Sequence, residues 1–289
     1  MPDRIPDDLP AIAEFPEPVR RVLRDVWRAG VVVREERAVP EETPVALTFN
    51  GTTHAVMMAS PIDIDAFALG FALSEGIITA ASEILSLDVI AVEEGIEARM
   101  WIAEEKMAVL GARRRYLAGP TGCGLCGVES LAEAIKPAAQ ITAQPVFSAE
   151  LLLEAMATLG PAQSLNHETR AVHAAGYFEP GRGLLAVAED VGRHNALDKL
   201  VGKVVRLGAD TSTGVLLLTS RVSIEMVQKA AVLGTSVIAA VSAPTSLAIR
   251  TADKAGITLA AIVRSDGFEV FTHPGRISLG TSSRHAHVA

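Results

Sequence analysis

The chain has 289 residues, of which 49% are hydrophobic, 21% charged and 4% aromatic, a composition that excludes a disordered, collagen-like or disulfide-scaffold protein. Its formal net charge of −8 argues against broad nonspecific nucleic-acid binding. No apolar run approaches the ~20 residues of a membrane-spanning helix. The acidic, proline-broken start MPDRIPDDLP lacks the basic and apolar regions of a signal peptide, so the cytoplasm is the expected compartment, with neither membrane nor nucleic acid as partner.

Residues 1–18 hold five of the fifteen prolines and read as a disordered tail. Val19, Val22, Leu23 and Val26 then recur at helical spacing, which predicts a basic amphipathic helix over 19–29. Strands are expected over Val31–Val39 and Pro44–Phe49, with Asn50-Gly51 turning the latter into a strand over Thr53–Ala59. Ser60-Pro61 reads as a helix start, and the helix runs to about Glu75. A second hairpin spans Leu87–Ala103 around Glu94-Gly95, followed by a helix over Glu104–Arg114. Tyr116–Gly127 is a glycine-rich loop, and a short helix ends at Pro137. These elements make a smaller N-terminal α+β portion, residues 19–136, joined by a proline-flanked linker at 137–147.

The C-terminal portion, residues 148–278, begins with a helix capped by Ser148 and closed by Gly160. A hairpin over Ala174–Ala188 and a helix over Arg193–Leu207 follow. Beyond them, Gly214–Thr219, Ser236–Val241 and Ile257–Val263 are short, fully apolar strands separated by helices over Val222–Leu233 and Thr245–Ala255, with a fourth strand at Phe268–Thr272. Apolar strands alternating with helices predict parallel βαβ units, and therefore an α/β fold around a mixed or mostly parallel sheet. Residues 279–289 read as a second disordered tail.

The chain has two cysteines, Cys123 and Cys126, set among glycines in Gly119-Pro-Thr-Gly-Cys-Gly-Leu-Cys-Gly127. Two thiols at this spacing can share a metal ion, close a disulfide, or alternate as nucleophile and resolving thiol. Zinc is disfavoured: the remaining ligands would have to come from scattered histidines, and the deaminase H-x-E partner of a P-C-x-x-C is missing. Gly122–Gly127 also spells G-x-G-x-x-G, but no apolar strand precedes it, as a dinucleotide fingerprint requires. Asp190 is placed to cap the helix at Arg193, with His194 and Asp198 four residues apart and able to hydrogen-bond. Thr219, Ser220, Arg221 and Ser223 lie where a parallel strand gives way to a helix, a setting suited to a phosphate or other anion. Arg264-Ser-Asp-Gly267 follows the third strand at the same predicted edge.

Five segments together resemble the formate dehydrogenase accessory sulfurtransferase family, FdhD/NarQ. They are Phe71-Ala-Leu-Ser-Glu-Gly-Ile-Ile78, Gly122–Gly127, Glu189-Asp-Val-Gly-Arg-His-Asn-Ala-Leu-Asp-Lys199, Ser220-Arg-Val-Ser-Ile-Glu-Met-Val-Gln-Lys229 and Val241-Ser-Ala-Pro-Thr-Ser-Leu-Ala248. The likeness runs from about residue 31 to 278. It implies a three-layer, cytidine deaminase-like fold without the zinc site, and a homodimer. It also implies a sulfur carrier that takes persulfide sulfur from a cysteine desulfurase. The sulfur passes to the molybdenum (or tungsten) bis-pterin guanine dinucleotide cofactor destined for formate dehydrogenase. The resemblance puts the persulfide on Cys123 or Cys126, with Cys123 favoured. It puts cofactor binding on Ile262, Val263, Arg264, Ser265, Asp266 and Gly267, and the same bound acceptor would engage Thr219, Ser220, Arg221, Ser223, His173 and His194. One departure is visible. Family members often carry Thr-Gly-Gly-Thr before the His-Ala-Ala motif, and here Thr169-Arg-Ala-Val172 precedes His173.

Overall fold

The computed structural model describes residues 14–107 and 137–280. The cysteine loop, the helices expected on either side of it past residue 107, and most of both predicted tails lie outside those residues.

Residues 19–29 are not a helix. Val19–Arg28 (β1) and Val31–Pro40 (β2) form an antiparallel two-stranded ribbon, in register from Val19↔Pro40 to Arg28↔Val31. Ala29 and Gly30 make its turn, with φ of 48° and 87°. Two positive φ values in succession are those of a type I′ hairpin turn, which fits the twist of the flanking strands. The helical spacing misled because both faces of the ribbon meet solvent over much of its length, so no clean alternation marks it as a strand.

Thr43–Phe49 (β3), Thr52–Ala59 (β4), Ile84–Val92 (β5) and Gly95–Ile102 (β6) make a four-stranded sheet in the order β4-β3-β6-β5. Asn50 (φ 45°) and Gly51 (φ 75°) turn β3 into β4 as expected. The helix that follows, Ile64–Ser74 (α1), starts three residues later than Ser60-Pro61 suggests, and its N-cap is Asp63. Ser60 is occupied elsewhere: its N–H donates to Asp190 Oδ2 and its hydroxyl accepts from Val191 N–H. Ser60 therefore ties the end of β4 to Asp190 and Val191, and the helix begins beyond it.

After β7 (Phe147–Ser148) come α2 (Ala149–Leu159) and α3 (Ser164–Thr169). Ser148 caps α2 by accepting from Leu151 N–H at 3.1 Å. The helix α3 has no counterpart in the sequence reading. The rest of the chain is β8 (His173–Glu179), β9 (Gly183–Asp190), α4 (Arg193–Leu207), β10 (Val215–Leu218), α5 (Ile224–Leu233), β11 (Val237–Ala240), α6 (Ser246–Ala255), β12 (Thr258–Arg264), β13 (Gly267–Thr272) and β14 (Ile277–Ser278).

A six-stranded mixed sheet runs β13-β12-β11-β10-β8-β9. The pairs β10–β11 and β11–β12 are parallel, as the continuous apolar runs predict, and the remaining pairs are antiparallel. All four residues of β10 and of β11 are buried. One face of this sheet packs on α2 through Leu152, Ala155 and Leu159. The other packs on α4, α5 and α6, and this core continues without a break into α1 and the four-stranded sheet. Helices on both faces of a mixed sheet make the chain an α/β protein whose two portions share a core.

The seam between the portions is the crossing of α1 on α4. A Cβ on Gly70 would collide with the backbone carbonyl of Asp198, and one on Gly202 with that of Ala66. The two glycines let the helix backbones touch, which explains why nearly every residue of α1 from Ile64 to Leu73 is buried.

Candidate functional site at one edge of the six-stranded sheet

Strand directions put five segments at one edge: the start of β8, and the ends of β9, β10, β11 and β12. Open α/β sheets bind ligands at such an edge. His173, His194, Thr219–Ser223, Val241–Thr245 and Ile262–Gly267 all lie there.

The loops are laced together. Val222 and Pro244 form a parallel bridge, with Thr245 N–H donating to Val222 O at 2.9 Å. Arg264 donates to the backbone carbonyls of Val241 and Val263. Thr219–Ser223 and Ile262–Gly267 are thus joined through Val241–Thr245, which lies between them. Ile262 has a φ of 55° at an irregularity in the β12–β13 pairing. For a β-branched residue this is a strained conformation, of the kind proteins keep at functional positions.

The predicted residues divide by what their side chains already do. The Thr219 hydroxyl accepts from Ala174 N–H at 2.8 Å and donates to Ala174 O, so it stitches β10 to β8. Ser220 is buried and donates to Arg221 O. Ser223 Oγ bonds Glu225 Oε2 at 3.2 Å and makes no cap bond to α5. Arg221 is exposed, and Asp266 and Ser265 sit in the exposed β12–β13 turn.

His194 does not pair with Asp198. Its Nε2 lies 2.8 Å from Glu225 Oε2, an ion pair when the imidazole is protonated. That contact, chiefly, holds the Glu225 carboxyl below the usual range. Asp198 points the other way, to Lys229, with Nζ to oxygen distances of 2.7 and 2.9 Å. Four-residue spacing brings two side chains near each other but does not choose between a helical neighbour and a tertiary partner. His173 stands opposite Asp190 across the β8–β9 pair. Burial first, and then the nearby Arg193 guanidinium, lower its pKa.

Asp190 is the hub of the edge rather than a helix cap. Its carboxylate is fully buried and accepts from Ser60 N–H, Gly192 N–H and Asn195 Nδ2, and its Oδ2 lies 2.6 Å from Lys199 Nζ. Asn195 also reaches Met58 O, and Lys199 reaches Ser60 O. Sequence reasoning missed Arg193, Glu225, Asn195, Lys199 and Ser60. Their residue types gave a trace of it, since two Asp and a Lys recur in the 190–199 stretch, but only the fold shows that the stretch is bolted to the end of β4.

The cysteine segment leaves and rejoins the described structure at fixed points. Before it, Lys106 Nζ sits 3.0 Å from Glu83, and Glu83 also takes Thr79 N–H. After it, Ile141 N–H donates to Ala255 O, and Arg276 holds Ala143 O. Cys123 and Cys126 themselves lie outside the described residues. Among the described residues, no group of three or more His, Cys, Asp or Glu is placed to hold a metal, and no helix is long and apolar enough to cross a membrane.

A family model described as the FdhD/NarQ family matches residues 40–278. The chain belongs to the FdhD/NarQ family. Proteins named Sulfur carrier protein FdhD are similar to it over most of their length. The one from Agrobacterium fabrum (strain C58) is 52% identical over 90% of this chain and 96% of its own. The one from Brucella abortus is 53% identical over 89% and 98%, and that from Cupriavidus necator 46% over 94% and 95%. A crystal structure of a candidate formate dehydrogenase accessory protein from Desulfotalea psychrophila is similar in fold. It is 25% identical with a TM-score of 0.72, covering 91% of this chain and all of that one.

Proposed function

We propose that this FdhD/NarQ family member is a sulfur carrier that serves formate dehydrogenase. The observation that carries the reading is the likeness, at 52% identity over 90% of the chain, to a protein named for that role. The only two cysteines of the chain stand in the family's C-x-x-C loop, as the role requires.

In this reading the Cys123 thiolate attacks the terminal sulfur of a persulfide on a cysteine desulfurase. The donor cysteine leaves as a thiolate and the new S–S bond carries the sulfur on this chain. Cys126 then attacks the Cys123 sulfur. The terminal atom departs as sulfide toward the cofactor, a Cys123–Cys126 disulfide remains, and a cellular thiol reductant restores it. The acceptor, the molybdenum or tungsten bis-pterin guanine dinucleotide, is a substrate of the transfer and not a resident cofactor of the chain. Its guanine end falls on Ile262–Gly267, and its phosphates on Arg221, His173, His194, Ser220, Ser223 and the N–H groups at the start of α5. Two features support that placement: Arg221 is exposed, and no side chain caps α5. Thr219 shapes the loop in this reading. The cytidine deaminase-like fold, the homodimer and the cytoplasmic location belong to the same proposal. Complementation tests it: in cells lacking the native protein, the Cys123→Ala/Cys126→Ala variant should give no formate dehydrogenase activity, and full activity would refute it.

A further inference from the structure

The donors that the proposed reading gives to phosphate already meet an anion of the chain itself. Glu225, in the first turn of α5, places Oε2 2.8 Å from His194 Nε2, and Ser223 Oγ donates to the same oxygen at 3.2 Å. His194 foremost holds the Glu225 pKa below the usual range, so the group is a carboxylate at neutral pH. It stands at a helix N-terminus that no side chain among the described residues caps, where negative charge is favoured. An imidazole, a hydroxyl and a helix end are also what a phosphate would use. The Glu225 side chain thus serves as a resident stand-in for one.

The stand-in fits incompletely. Its contact with His194 is close but not aligned as a hydrogen bond, and His194 Nε2 is buried with no hydrogen-bond partner among the described residues. Arg193 Nε, on the preceding residue, is buried and lacks one as well. Arg193 belongs to the same group: burial first and its charge second lower the His173 pKa, and that charge acts on Glu225 too. Neighbouring buried N–H groups without acceptors are rare in folded proteins, and a ligand that completes the set accounts for them. A phosphate brings three acceptor oxygens, whereas here a single carboxylate oxygen, Oε2, makes both contacts.

We infer that Glu225 is a built-in competitor for phosphate at this edge: a phosphate group of the ligand displaces its carboxylate from His194 and Ser223 and gains Arg193, and the carboxylate returns as the ligand leaves. A protein that hands its cargo on is served by such a return, because it limits how tightly phosphate is held. The inference rests on the proposed placement of the cofactor's phosphates. Calorimetry on the full chain tests it, with GDP and inorganic pyrophosphate as probes and circular dichroism to establish that each variant is folded. Glu225→Gln keeps the size of the side chain and removes its charge. It should bind both probes more tightly than wild type, each by roughly tenfold or more, the contribution of a hydrogen bond to a charged group. Arg193→Gln should bind both more weakly, by roughly the same factor. A folded Glu225→Gln that binds GDP no more tightly than wild type overturns the inference, since a carboxylate that only positions His194 would give equal or weaker binding. GDP binding by wild type would then leave the cofactor placement standing. An Arg193→Gln that binds like wild type overturns the inference as well. If neither wild type nor Glu225→Gln binds either probe, the inference and the placement fall together.

Discussion

Asp190 and Lys199 are both fully buried, and their charged groups stand 2.6 Å apart at the seam between the two portions of the chain. Burial pulls the Lys199 pKa down, and Asp190 opposes that pull. The remaining polar capacity of the pair is met by Ser60, Gly192 and Asn195. A buried pair satisfied in this way gives modest net stability, but removing one partner strands the other. Asp190→Asn and Lys199→Met should each cost about 3–5 kcal/mol in urea unfolding. The double variant should cost clearly less than the two single costs added together. Additive costs would mean that the two groups do not interact.

Tyr177 is buried in β8, with its hydroxyl donating to Asp210 O at 3.1 Å. Burial foremost, and then Glu179, push its pKa up to about 12. The folded state therefore favours the neutral phenol. That contribution is complete below the ordinary tyrosine pKa of ~10 and is lost as pH rises from there through about 12. A spectrophotometric titration should find a late ionisation that Tyr177→Phe removes. A Tyr177 that ionises near the ordinary value while the protein is still folded would contradict the burial.

The sheet edge gives a ligand prediction. In the proposed reading Asp266, exposed in the turn after β12, would accept from the N1–H and N2–H₂ edge of guanine, and Arg221 and the start of α5 would meet phosphate. GDP should bind in calorimetry, and ADP at least tenfold more weakly, since charged hydrogen bonds contribute about 1.5–3 kcal/mol. Asp266→Ala should erase most of the difference. Equal affinities for GDP and ADP in wild type would remove guanine from this turn.

The parts of the fold legible in the sequence were those whose pattern has one physical cause. Val215–Leu218 and Val237–Ala240 are apolar throughout because both faces of their sheet are covered, and they read as buried parallel strands. Gly234 and Gly256 close α5 and α6 in left-handed conformations, as their positions suggest. What misled were residues whose local role is displaced by a distant partner. Ser60 resembles a helix cap and instead binds Asp190 and Val191. His194 is spaced to meet Asp198 and instead meets Glu225. Val19–Arg28 has helical spacing and forms a ribbon held by pairing with Val31–Pro40. The candidate site was legible as a set of loops, but the lacing of those loops through Val241–Thr245 and the Asp190 hub depend on contacts across many residues of chain.

The central claim is that this chain carries sulfur on its C-x-x-C cysteines, and intact-protein mass spectrometry after incubation with a cysteine desulfurase and cysteine tests it most directly. Wild type should gain the mass of one sulfur atom per protomer, and a thiol reductant should remove it. Cys126→Ala should still load, whereas Cys123→Ala/Cys126→Ala should gain nothing. An unloaded wild type, or a double variant that gains as much sulfur as wild type, would contradict the account.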